Sequence, residues 1–181
     1  FVTVCGLSGC GKSTLLRLLK QGLAPRGRLA GEILFDGVPL ADIPRETAAR
    51  QTGFVLQDPD SQLVTDRVWH ELAFSLESAG IPTSEIRRRV SEMAGYFGLE
   101  ELFERECASP SGGQKQMVNL AAAAALHPEV LLLDEPSSQL DPIAAQGFID
   151  ALARLNRDFG ITVIIAEHRL EELLHLSDRL L

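Results

Sequence analysis

Three stretches of the chain are almost wholly apolar: FVTVC before Gly6, VLLL at 130–133 and ITVII at 161–165. Short apolar runs bounded by glycine, proline or acidic residues predict buried strands. A shorter run, GFVL at 53–56, predicts another strand that ends in the polar, proline-containing loop QDPD. GKSTLLRLLKQGL follows the first strand and sets Leu15, Leu16, Leu18 and Leu19 on one helical face. GEILFDGVPL reads as a short strand, an Asp-Gly turn and an exit by proline, which is a hairpin signature.

From about residue 66 to residue 127 the pattern changes. VWHELAFSLESAG, SEIRRRVSEMAGYFG and GGQKQMVNLAAAAAL each predict a helix, with Gly, Pro and Ser between them and no strand. Beyond this stretch, DPIAAQGFIDALARLNRDFG predicts an amphipathic helix opened by Asp-Pro. RLEELLHLSDRLL predicts a closing helix. Strands that alternate with helices on both sides of the helical stretch imply an α/β fold with a mostly parallel, covered sheet. The expected organisation is a core from residues 1–65 and 128–181, an inserted α-helical subdomain at 66–127 and a small antiparallel β element. The chain starts inside a strand and stops just after the expected helix, the pattern of an excerpt from a longer domain without its edge strands.

Chemistry enters at the strand ends. GLSGCGKS at 6–13 fits G-x-x-x-x-G-K-S/T between a strand and a helix, the context that makes a phosphate-binding P-loop. The fold class is then a P-loop NTPase core. The backbone N–H groups of residues 8–13 are expected to wrap a β-phosphate, aided by the positive end of the helix. The nucleotide-binding set is Gly6, Leu7, Ser8, Gly9, Cys10, Gly11, Lys12, Ser13 and Thr14. Lys12 would reach the β- and γ-phosphates, and the Ser13 hydroxyl would ligate Mg²⁺. Asp134 ends a buried strand where it can hold Mg²⁺ directly or through water, and Glu135 can polarise an attacking water. Gln57 follows a strand, where an amide can orient water and touch Mg²⁺. His168 ends ITVIIAEH, and strand ends of an open α/β sheet face the ligand crevice, so its imidazole can reach a γ-phosphate.

These motifs, with SGGQ at 111–114 and SSQLDP at 137–142, occur in the order and approximate spacing of ATP-binding-cassette (ABC) ATPases. The resemblance covers essentially the whole chain. It implies that Gln57 is the Q-loop residue, Asp134 and Glu135 the Walker B pair and His168 the switch histidine. It further implies that Ser111, Gly112, Gly113 and Gln114 form the signature, and that the D-loop runs from Ser138 to Asp141. In that family two ATPase domains close head to tail around two ATPs, and the signature of one caps the γ-phosphate held by the other. A second ATPase domain, identical or not, is therefore an expected partner, with ATP and Mg²⁺ as ligands.

QDPDSQLVTDRVWHELAFSLESAGIP and AEHRLEEL look like the corresponding segments of ATPases in energy-coupling-factor importers, which take up vitamins and transition-metal ions. In that group Asp58, Pro59, Asp60 and Gln62 would lie near a transmembrane coupling subunit. Three departures stand out. Pro110 occupies the position where the signature usually opens with leucine; the helix after it lacks the usual arginines; and the family's adenine-stacking aromatic lies upstream of the first strand, outside this chain.

Composition narrows the function classes. Of 181 residues, 45% are hydrophobic and 23% charged, as in ordinary globular proteins. A formal net charge of -8 disfavours a bulk binder of nucleic acid or anionic membrane. Cys5, Cys10 and Cys107 form no C-x-x-C pair, which argues against a zinc site or disulfide framework and for a reducing setting. No apolar run reaches the roughly 20 residues of a membrane helix. The expectation is a peripheral ATPase on the cytoplasmic face of the membrane. A soluble ABC ATPase acting on nucleic acid or ribosomes is the alternative. Against it stand the acidic charge and the short stretch between Gln57 and the signature, which carries no sustained heptads. A small-molecule P-loop kinase would leave SGGQ and SSQLDP without a role.

Overall fold

The computed structural model describes residues 1–181. In chain order the elements are β1 (Val2–Val4), α1 (Lys12–Leu19), β2 (Leu34–Phe35), β3 (Val38–Pro39), α2 (Arg45–Gln51), β4 (Thr52–Val55), α3 (Val68–Ser78) and α4 (Thr83–Phe97). They continue with α5 (Gly112–Ala124), β5 (Val130–Asp134), α6 (Pro142–Phe159), β6 (Thr162–Ala166) and β7 (Arg179–Leu180). Five strands form one sheet in the order β4-β5-β6-β1-β7, every neighbouring pair parallel. β2 and β3 form a separate antiparallel hairpin whose turn residues, Asp36 (φ 48°) and Gly37 (φ 77°), both take positive φ. That is the backbone of the tight primed turns that Asp-Gly favours.

The uninterrupted apolar runs make sense once both faces of the sheet are seen to be covered. Leu131, Leu133, Val163 and Ile165 point into the larger core with Phe148 and Leu152 of α6 and Leu120 of α5. Leu132 and Val4 point the other way, onto Leu16 of α1. A half-exposed strand would alternate with polar residues; these central strands cannot, because each second side chain is also buried.

The helix α5 lies directly on β4 at Gly53. A Cβ there would sit 2.5 Å from Leu131 Cδ2 and 3.3 Å from the Ala123 carbonyl oxygen. Leu131 is fully buried, so its side chain has nowhere to yield. Gly53→Ala is expected to destabilise the protein by about 1–3 kcal/mol through overpacking, read as a lower urea midpoint at unchanged slope. An unchanged midpoint would show that α5 can shift outward freely.

Two features depart from the sequence pattern. The expected closing helix is absent. Residues 171–176 form a run of turns, with Leu174 N–H bonded to the Leu170 carbonyl and Leu176 N–H to that of Leu173. The chain then extends, and Arg179–Leu180 pairs with β1. The reason is the free edge of β1. The Leu181 N–H donates to the Thr3 carbonyl, the Cys5 N–H donates to that of Leu181, and Ser177 Oγ lies 2.6 Å from Thr3 Oγ1. Those edge bonds prevail over the helical spacing of the leucines, as tertiary context commonly does over local propensity. The second feature is α2, which the pattern did not announce, since in RETAARQ only Ala48 is buried.

Candidate functional site

Because β4, β5, β6 and β1 are parallel neighbours, the loops leaving their C-terminal ends emerge side by side. Asp134 of β5 lies opposite Ala166 of β6, which lies opposite Val4 of β1. The four exits carry Gln57, Asp134 with Glu135, Glu167 with His168, and the loop 5–11. The sheet topology alone therefore gathers most of the sequence-predicted site at one edge, where open α/β sheets bind ligands.

In the loop after β1, Gly9 (φ 81°) and Gly11 (φ 105°) take conformations that side chains resist. A Cβ at either would meet no heavy atom within 4 Å, so the loop backbone is open to an approaching ligand. Gly11 caps α1, whose first turn holds no acidic residue, and its positive end is left uncompensated. Lys12 is 5% exposed. Its Nζ donates to the carbonyls of Gly6 (3.0 Å) and Leu7 (3.4 Å) and stands 3.5 Å from Glu135 Oε1.

Glu135 is the hub. Its Oε1 is 2.9 Å from His168 Nε2, and its Oε2 accepts from Gln57 Nε2 at 3.3 Å. With Nε2 carrying the proton, His168 donates to Glu135, and the 3.4 Å approach of Lys12 Nζ to the same nitrogen is then mere proximity. Glu135 itself has φ 47°, the left-handed region that costs a non-glycine residue about 1–2 kcal/mol. Its N–H is bonded to the Ala166 carbonyl and its own carbonyl accepts from the N–H and hydroxyl of Ser138. The turn is thus pinned on both sides, which keeps the carboxylate at the mouth of the strands.

Beside it, Ser13 Oγ donates to Asp134 Oδ1 at 2.7 Å, and Arg17 stands 3.9 Å from Asp134 Oδ2. A hydroxyl and a carboxylate this close are hard oxygen donors suited to Mg²⁺. The chain has no group of three or more His, Cys, Asp or Glu side chains arranged for a metal.

Ser111, Gly112, Gly113 and Gln114 make no hydrogen bond or ion pair with this cluster. They open α5 as a capping box: Ser111 Oγ accepts from the Gln114 N–H (3.4 Å), and Gln114 Oε1 accepts from the Ser111 N–H (2.9 Å). The Ser111 hydroxyl proton is left free to donate. Pro110, just before this helix, is buried. Gly113 lies against α6, where a Cβ would come within 2.7 Å of Ala144 Cβ. Asp141 caps α6 by accepting from Ile143 N–H and Ala144 N–H, each at 3.0 Å.

A glycine-rich loop beside acidic strand ends occurs in more than one P-loop family. The profile described as ABC transporter matches residues 1–138. The chain belongs to the ABC transporter family. It is 45% identical over 181 residues to a Bacillus cereus protein provisionally described as an ABC transporter ATP-binding protein, covering 100% of this chain and 33% of that one. It is 40% identical over 173 residues to an energy-coupling factor transporter ATP-binding protein of Symbiobacterium thermophilum, covering 95% of this chain and 59% of the relative. Among solved structures, cbiO1 from Clostridium perfringens, described as part of the ABC transporter complex cbiONQ, matches with a TM-score of 0.85 at 34% identity, over 98% of this chain and 70% of its own. The chain spans about a third of the length of the first curated relatives it matches.

Within this ABC family chain, several buried polar residues escaped the sequence reading, and three of them lie beside the candidate site. Gln116 is fully buried, and its Nε2 donates to the carbonyls of Leu56 (2.9 Å) and Pro136 (3.0 Å), tying α5 to the loops that carry Gln57 and Glu135. Asn119, also fully buried, donates to the Pro59 carbonyl at 3.1 Å, while its Oδ1 has no partner. Glu167, next to His168, is the third. The legible signal for the first two was a pair of amides three residues apart, the second of them set within the apolar run MVNLAAAAAL, the spacing of a shared face.

Proposed function

We propose that this ABC family member binds and hydrolyses ATP and powers a membrane importer of the energy-coupling-factor type, for a vitamin or a transition-metal ion. The observation that carries the reading is the convergence of Lys12, Gln57 and His168 on the Glu135 carboxylate, beside the Ser13–Asp134 pair.

In this reading the N–H groups of residues 8–13 and the start of α1 hold the β-phosphate, and Lys12 releases the Gly6 and Leu7 carbonyls to reach the β- and γ-phosphates. Ser13 and Asp134, with the Gln57 amide beside them, would hold Mg²⁺, which would neutralise phosphate charge. Glu135 polarises the water that attacks in line, and His168 turns from Glu135 to the γ-phosphate. The start of α5 has no acid in its first turn and presents Ser111 outward, as expected of a group that grips a phosphate held by a second copy or a related domain. Ser138 and Asp141 shape the connecting loop between the two.

The importer reading draws on the two named relatives and on the loop after Gln57. That loop is firmly held: Gln62 accepts from the Leu56 N–H at 2.8 Å and donates to the Phe54 carbonyl at 3.1 Å, and Asp60 pairs with Lys115 at 2.6 Å. A rigid loop of this kind can transmit force to a transmembrane coupling subunit. No helix of the chain is long and apolar enough to cross a membrane. The placement proposed with the importer reading is peripheral, on the cytoplasmic face, and it rests on the transporter relatives.

The test is phosphate release from ATP, dependent on Mg²⁺ and abolished by a chelator, combined with thiol labelling. Cys10 is exposed within the phosphate loop, whereas Cys107 is buried and burial pushes its thiol pKa up. Alkylation of Cys10 is expected to block ATP binding, and ATP to protect it. Unchanged binding after complete labelling of Cys10 refutes the placement of the nucleotide.

A further inference from the structure

Glu167 is 2% exposed, yet the mechanism above does not use it. One carboxylate oxygen, Oε1, accepts from the Ser137 N–H at 2.9 Å and from the Ser137 hydroxyl at 2.6 Å. The other, Oε2, accepts from the His168 N–H at 3.2 Å. All of its donors are neutral. A carboxylate buried on neutral donors is expensive to keep, so its partners identify what it holds. Ser137 belongs to the turn that carries Glu135, two residues earlier, and His168 is the imidazole 2.9 Å from Glu135 Oε1. Each oxygen therefore fixes one side of the same contact.

The geometry points to Glu167 as a positioning residue that sets His168 against Glu135, acting on backbone groups and touching no substrate. This rests on the hydrolytic reading above. Besides the His168–Glu135 contact itself, the turn after β5 is tied to the chain at 166–168 by this carboxylate and by the bond from the Glu135 N–H to the Ala166 carbonyl. That second bond is made inside the strand register, so it cannot set where the chain goes beyond β6. Glu167 can, because it reaches forward from β6 to the far side of the turn.

Glu167→Gln tests this with almost no change of shape. An amide has one acceptor end and one donor end. Whichever way it turns, a donor faces either the Ser137 pair or the His168 N–H. In the full-length protein, kcat for ATP is expected to fall about tenfold or more while KM and ATP affinity stay within about twofold, the split that marks an interaction needed only in the reaction step. Hydrogen exchange should quicken in peptides spanning 134–140 and 166–170 and stay unchanged in α6. In a His168→Ala background the added Glu167→Gln should lower the residual rate no further.

Unchanged kcat with unchanged exchange overturns the inference. So does an effect of equal size in the His168→Ala background, which would mean that Glu167 acts elsewhere. If Glu167→Gln does not fold, Ser137→Ala removes one of the three donors alone, and about a threefold loss of kcat at constant affinity is expected; no loss overturns the assignment. If the unaltered protein hydrolyses no ATP, it is the functional reading that has failed, and the exchange comparison still decides whether Glu167 clamps the two segments.

Discussion

Glu135→Gln is expected to stop turnover and leave ATP bound. The side chain keeps its length, and glutamine at φ 47° is no more strained than glutamate, so the turn should hold. What disappears is the negative charge that Lys12 faces at 3.5 Å and His168 at 2.9 Å. Without a base to take up the proton of the attacking water, kcat should fall by about 10²–10⁴-fold. ATP affinity should be retained or rise, since the carboxylate also repels the γ-phosphate. With ATP held and not consumed, the closed pair of ATPase domains should accumulate. Phosphate release and ATP-dependent association by light scattering check both halves. Full turnover in this variant would remove Glu135 from the reaction.

Lys12→Ala is expected to abolish useful nucleotide binding. The ammonium is buried, held by two carbonyls of its own loop and set opposite one carboxylate. It is a positive charge kept beside a loop whose backbone is open at Gly9 and Gly11, where the proposed function places the phosphates. Losing it should weaken ATP binding by about 100-fold, equivalent to about 2.8 kcal/mol. Lys12→Arg should not restore it, because a planar guanidinium does not replace a compact ammonium between the Gly6 and Leu7 carbonyls. Titration calorimetry with ATP measures the loss, and thermal unfolding separates it from a fold defect. Affinity within about threefold of the unaltered protein would overturn the role.

Most of the candidate site was readable before any coordinates. The P-loop, the acidic end of β5 and the positions of Gln57 and His168 are short-range signals, each a residue type at a fixed distance from a strand or helix boundary. Less readable was how they meet. Gln57 and Glu135 are 78 residues apart, and Lys12 and His168 are 156 apart. The role of Gln114 also changed: beside its place in the signature it closes the capping box of α5, which only the backbone geometry at Ser111 reveals.

The errors have physical causes too. RLEELLHLSDRLL carries leucines at helical spacing, but spacing reports which positions want burial and not which neighbour buries them. Leu173 is buried within a run of turns, and Arg179–Leu180 is claimed by the open edge of β1. Glu167 looked like one more charge after an apolar strand. Its burial becomes affordable only because Ser137 from the next strand's exit turns three donors toward it together with His168.

By itself, then, the sequence determined the local alternation of strands and helices, the glycine-rich loop between β1 and α1 and the chemical types at each strand exit, because these depend on contacts within one element. The strand order β4-β5-β6-β1-β7 was decided by tertiary structure, and with it the meeting of four exits at one edge. So were the final strand, the buried ties of Gln116 and Asn119, and the Glu167 clamp. Each of these satisfies a backbone or buried polar group with a partner far along the chain, and such a partner exists only once the sheet has formed.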